Sequence, residues 1–131
     1  MERQHQMQAD ARQQRVERPD PRPLLGKWTN TLADTEHIRH VDVRDRDGRL
    51  MVRPWGAGFP GVIDWGEAEG HLYHASGTGK ANGFRAEFDL GSSRVSLACN
   101  CKLGVLVVIC YVAFQDGSGR ADYCTREFFH R

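Results

Sequence analysis

Lysine is scarce in this chain, an excess of one charge sign is missing, and no apolar run approaches the length of a membrane span. Lys stands only at 27, 80 and 102, and Arg supplies the rest of the 18 basic side chains, against 17 acidic ones, for a formal net charge of +1. A surface so nearly balanced has no electrostatic footprint for a nucleic-acid backbone or an anionic membrane, and neither is expected as a partner. A spanning helix needs roughly 18 consecutive apolar residues, and Met1 to Gln6 lacks the apolar stretch of a secretory signal, so the expected location is cytoplasmic. Thiols are then expected at Cys99, Cys101, Cys110 and Cys124, because a reducing compartment disfavours structural disulfides. The i, i+2 spacing of Cys99 and Cys101 is not that of a zinc ligand pair, and no second pair accompanies it, so no metal is expected. Gly77-Thr78-Gly79-Lys80-Ala81 lacks the Lys-Ser/Thr ending of a phosphate loop, and no cofactor is expected either.

Helical periodicity is lacking too. Residues 1–23 are rich in Gln, Arg and Glu, end in Arg18-Pro19-Asp20-Pro21-Arg22-Pro23, and read as a disordered tail before a single domain over 24–131. From Leu24 onward apolar residues recur with period 2 between turn signals. Phe84, Ala86, Phe88 and Leu90 alternate with Arg85, Glu87 and Asp89, and Val95, Leu97, Cys99 and Cys101 alternate with Arg94, Ser96, Asn100 and Lys102. Further strands are expected over 26–32, 37–44, 49–55, 63–67, 71–75, 105–114 and 121–130, separated by Asp47-Gly48, Pro60-Gly61, Gly91-Ser92-Ser93, Gly104 and Asp116-Gly117-Ser118-Gly119. Eight or nine short antiparallel strands predict an all-β fold, a small closed up-and-down β-barrel of about eight strands, the size at which the interior holds side chains or one small ligand. Val105 to Phe114 is apolar on both faces, so its outer face needs cover from the chain's own loops or from a second copy in a homodimer.

Gly26-Lys27-Trp28-Thr29-Asn30, the hairpin turn at Asp47-Gly48 and an Arg-rich last strand together resemble the calycin barrels, which include lipocalins, fatty-acid-binding proteins and avidins. The resemblance implies that Trp28 closes the barrel floor and that Arg126 or Arg131 packs on its indole. The first strand is similar to that of avidins, with Asn30 at their ligand-binding Asn. Asp34 and Arg53 depart from the avidin pattern and argue against biotin. Trp28-Thr29-Asn30, Asp47-Gly48-Arg49-Leu50-Met51-Val52, Trp55-Gly56, Pro60 and Asp64-Trp65-Gly66 also resemble small single-domain bacterial barrel proteins. Those carry Cys and His where this chain has Gly58, Phe59, Val62 and Ile63.

The segment from Trp55 to Gly66 gathers two Trp, one Phe and a carboxylate around glycines, which suits a pocket for a flat, apolar molecule with one polar anchor. The plainer reading is that both Trp plug a barrel end and Asp64 caps a turn. Asn30, Trp55, Asp64, Trp65, Tyr73 and Tyr111 are the candidate ligand-binding residues. Among Trp side chains Asp64 would be desolvated and its pKa raised, which makes it the first candidate for acid–base work. Asp64 and Trp65, being adjacent, face opposite ways. Ile38, His40, Asp42 and Arg44 are placed on the solvent face of the second strand. In the last strand Tyr123, Thr125, Glu127 and Phe129 share one face and Cys124, Arg126 and Phe128 the other. If the first set is inside, Tyr123 and Glu127 become a polar pair in the cavity and further catalytic candidates. The leading expectation is a small-molecule-binding barrel for a hydrophobic or aromatic metabolite. The alternatives are a cofactor-independent cyclase or isomerase on the same scaffold and a protein-interaction module.

Overall fold

Period-2 alternation becomes strand over most of the expected segments, 63–67 excepted, where residues 65–67 leave the strand. The computed structural model describes residues 18–58 and 61–131. Its strands are β1 (Gly26–Asn30), β2 (Ile38–Arg46), β3 (Arg49–Gly58), β4 (Gly61–Asp64), β5 (Ala68–Glu69), β6 (His71–His74), β7 (Ala81–Asp89), β8 (Ser93–Lys102), β9 (Val105–Phe114) and β10 (Tyr123–His130). They form one all-antiparallel sheet in the order β4-β3-β2-β1-β10-β9-β8-β7-β6, with β5 on β3. The turns follow the residues: Asp47 and Gly48 both take positive φ (51° and 82°) between paired Arg46 and Arg49, the primed turn whose twist suits a hairpin.

Closure is the point at which the expected barrel and the observed ladder differ. The hydrogen-bonded path runs open from β4 to β6, and among the described residues no ladder joins β4 to β7. The chain from Ala68 to His74 changes partner midway: β5 lies on Met51 and Val52 of β3, β6 lies against Gly83 to Arg85 of β7, and Gly70 alone separates them. A Cβ on Gly70 would meet Leu50 Cδ2 at 2.9 Å, Val52 Cγ2 at 3.0 Å and the Arg85 carbonyl at 3.7 Å, so β3 and β7 approach each other there.

The inward face carries the core. Trp28, Val41, Val43, Leu50, Val52, Phe84, Leu97, Leu106, Val108 and Phe129 are all buried. The alternating residues face solvent. Ile38 corrects the placement of the second strand: the register slips between Ile38 and His40, and the extra residue, Arg39, turns Ile38 inward to burial while His40 and Asp42 stay opposite Val41 and Val43.

One end of the sheet is sealed by the segment before β1. The Trp28 indole N–H donates to the Leu24 carbonyl at 2.9 Å, and the Arg131 guanidinium lies 4.3 Å from the indole centroid while donating to the Leu25 carbonyl at 2.8 Å. Of the two arginines offered for that role, Arg131 takes it; Arg126 lies over Phe128 instead. A 3-10 turn, Arg22–Leu24, buries Leu24 there. The tail boundary at residue 23 therefore needs correction for residues 18–23. Pro19 and Pro21 are buried, the Asp20 N–H donates to the Gly79 carbonyl at 3.0 Å, and the Ala81 N–H donates to the Asp20 carbonyl at 2.8 Å. Residues 1–17 lie outside the described residues.

Candidate functional site

β10 settles the face that alternation left open. Phe129 is wholly buried, so Tyr123, Thr125 and Glu127, at even spacing from it, lie on its side of the strand, Thr125 and Glu127 half-buried and Tyr123, at the end of the sheet, 44 % exposed, while Cys124, Arg126 and Phe128 point out. The register extends each of them across the sheet. Phe88, Val95, Val112 and Tyr123 form one inward row; Ala86, Leu97, Cys110 and Thr125 the next; Phe84, Cys99, Val108 and Glu127 the third. A polar seam on β10 thus runs beside an apolar wall, toward the end of the sheet opposite Trp28.

The other flank of that seam is covered by a loop rather than by a strand. β1 pairs with β10 only through Thr29 and Asn30, and the connection from β1 to β2 covers the upper half of β10. Thr35, buried in that connection, donates its hydroxyl to the Glu127 carboxylate (2.9 and 3.1 Å to the two oxygens) and accepts the His37 N–H at 3.1 Å. One hydroxyl proton shared by two oxygens leaves most of the carboxylate's four acceptor sites unfilled. No basic side chain pairs with Glu127 among the described residues. The Tyr123 ring lies 6.0 Å from both the His37 and Phe114 rings.

Burial raises the protonated forms of the neutral groups in the seam. Cys110 is pushed up to about 11 by desolvation, with the charge of Glu127 adding to the rise and Thr125 opposing it. Desolvation likewise raises Tyr123, with Cys110 contributing, so the phenol is a donor at neutral pH.

Trp65 supplies an aromatic wall. It is half-buried, meets Phe88 edge-on at 6.1 Å, and lies where a Cβ on Gly56 would stand 2.5 Å from its Nε1, so only glycine at 56 admits the indole. Asp64, on the opposite face, corrects the expectation of a desolvated acid. It is exposed, it is ion-paired with Arg53 and it accepts the Gly66 N–H at 2.9 Å; these contacts, the Arg53 hydrogen bond first, hold its carboxyl below the ordinary value rather than above it.

The remaining candidates separate by face. Trp55 lies outside, under the Arg53 guanidinium at 4.9 Å, because Val52, Pro54 and Gly56 take the inward positions of β3. Tyr73 meets His71 edge-on, 5.0 Å away, on the outer surface of β6, and Tyr111 is 51 % exposed on the outside of β9. Asn30 is buried, but its amide is already used: Nδ2 donates to the Ile38 carbonyl at 2.9 Å, and Oδ1 accepts the Leu32 N–H at 2.8 Å. Phe59 and Pro60, from the same glycine-rich segment, lie outside the described residues. His40, half-buried and 3.3 Å from the Thr29 hydroxyl, has its pKa lowered by desolvation and by Lys27 and Arg39.

Thr35 and His37 were not singled out by the sequence. Their local turn is legible, since a Thr two residues before an N–H is a common side-chain turn; the contact with Glu127, 92 residues away, has no local signal. All four cysteines are free thiols, with Cys99 and Cys110 buried and Cys124 exposed. Among the described residues no cluster of three His, Cys, Asp or Glu could hold a metal, and no helix is long and apolar enough to cross a membrane. Compared with protein-family models, curated proteins and solved structures, the chain has no significant match, so its own residues carry the functional reading.

Proposed function

We propose that the sheet closes at Gly70 into a calycin-like barrel and that its upper end binds a small apolar or aromatic molecule bearing one hydrogen-bond donor. The observation that carries this reading is Glu127, a half-buried carboxylate on the inward face with one hydroxyl donor and no cation among the described residues. A buried charge is expensive unless hydrogen-bonded, and an amine or hydroxyl on a ligand would supply what the protein does not. Trp65, Phe88 and Phe114 supply apolar area for the rest of such a molecule. The plainer role for Glu127 is to pin the loop from residue 31 to 37 through Thr35.

The test pairs native mass spectrometry of freshly purified protein with titration by 1-aminoanthracene, a flat aromatic amine that fluoresces in apolar surroundings. Binding is expected, and Glu127→Gln should weaken it roughly 10-fold or more, the worth of a hydrogen bond to a charged group. Trp65→Ala should weaken it as well. Absence of both a co-purifying molecule and probe binding, or binding that neither substitution alters while the fold is intact, overturns the reading.

The protonated Tyr123 phenol on the same face as the Glu127 carboxylate supports a second reading, a cofactor-independent cyclase or isomerase. In that reading the phenol is the donor and the carboxylate the base. It predicts that a co-purifying molecule is a substrate–product pair of equal mass, separable by chromatography.

A further inference from the structure

The outer surface of β7 to β10 makes demands that the barrel interior does not meet. On β9 the outward residues Val105, Val107, Ile109, Tyr111 and Ala113 form an unbroken apolar stripe, joined on β10 by Phe128. Val105 is 38 %, Tyr111 51 % and Phe128 43 % exposed, with the Arg126 guanidinium 5.3 Å from the Phe128 ring centroid. The neighbouring strands, by contrast, present Arg85, Glu87, Arg94, Ser96, Asn100 and Lys102 to solvent, which is the ordinary alternation of a wet sheet face.

We propose that this face is the interface of a homodimer, with β9 of one copy packed against β9 of the other. Its relief suits self-pairing. Tyr111 stands at the rim of a depression of about 540 Å³, which Arg94, Ser96 and Ala113 also line; a second depression, of about 380 Å³, lies further along the stripe over Ala98, Val107 and Ile109. A two-fold interface must be self-complementary, and a two-fold axis crossing the strands brings the Tyr111 of each copy toward the Ile109 depression of the other. Charge follows the same exchange: Glu87 and Asp122 stand with Arg94 around Tyr111, while Arg126, opposite Ile109, and Lys102, opposite Val105, stand toward the other end of the stripe.

The area reaches only the lower end of the range for stable dimers, roughly 600 to 1,000 Å² per partner. Four strands about 4.8 Å apart, each about ten residues of roughly 3.3 Å, give a face of about 600 Å² per copy before side-chain relief is added. Standard stable interfaces bury roughly 800 Å² per partner. A second copy is also the partner that a stripe of this kind is certain to meet, since every molecule carries it.

Sedimentation velocity on the full chain, from about 1 to about 100 μM, tests this, because interfaces of this size hold at micromolar concentrations or below. The wild type should sediment as a dimer. Tyr111→Lys and, separately, Val105→Lys should shift it to monomer with the far-ultraviolet circular dichroism unchanged; both side chains are on the outer surface, so two independent variants guard against a folding failure in one. Val62→Lys, on the exposed β4 outside this face, should leave the dimer intact. A wild-type monomer across the whole range overturns the proposal, as does a dimer that survives both stripe substitutions or that Val62→Lys dissolves.

Discussion

Arg131 shows how one side chain can do two jobs at a chain end. Its guanidinium covers Trp28 at 4.3 Å and donates to the Leu25 carbonyl, tying Arg131 to the segment that leads into β1. Arg131→Ala should cost about 1–2 kcal/mol in urea denaturation, a cation–π contact plus one hydrogen bond. Arg131→Lys should recover less than half, because an ammonium neither stacks flat nor forks. The thiols make a second residue-scale prediction. At pH 8 a disulfide reagent such as 5,5′-dithiobis(2-nitrobenzoate) should titrate exposed Cys124 at once and reach Cys99 and Cys110 only as the protein unfolds. Cys110 is held at about 11 in the fold against 9.0 for an ordinary thiol, so the native state keeps a proton that the unfolded chain releases. Its contribution is therefore complete below pH 9 and lost as pH rises toward 11, and the urea midpoint should fall across that window. A midpoint flat from pH 9 to 11 would contradict the burial.

At the scale of elements, stability should be least uniform at the two edges of the open sheet. β8 is paired on both sides along its length, whereas β4 pairs only with β3, and the upper half of β7, from Ala86 to Asp89, only with β8. Amide hydrogen exchange should be faster in β4 and upper β7 than in β8, because singly paired strands open locally at lower cost. Gly70→Ala is expected to cost about 1–3 kcal/mol, since the new methyl would press on Leu50 Cδ2 and Val52 Cγ2, side-chain ends that can yield only partly. A melting temperature unchanged by that substitution would mean β3 and β7 are not brought together at Gly70. The strands themselves were legible because alternation and turn chemistry are local properties: β9 runs over Val105–Phe114, the same bounds that the apolar run predicts. The break in the fourth strand was less legible. A single strand over 63–67 is expected, but Gly66, at φ 83°, interrupts it, leaving β4 and β5 on either side of Trp65.

For the whole molecule, dimerisation and stability are one equilibrium. If only the folded chain self-associates, its melting temperature must rise with protein concentration, and the rise should vanish in Tyr111→Lys. A concentration-independent melting temperature in the wild type would count against association. The sequence by itself determined the all-β class, the positions of most strands and the hairpin at Asp47-Gly48, because steric preferences and period-2 burial act between near neighbours. The tertiary structure alone decided which face is inside where the apolar pattern is ambiguous, as in β3, β9 and β10. That choice put Trp55, Tyr73 and Tyr111 outside, left Asp64 in an exposed ion pair and turned Glu127 inward onto Thr35. The reason is parity: alternation defines two faces but not which is buried, one extra residue such as Arg39 inverts the pattern, and only pairing with strands distant in sequence fixes the outcome.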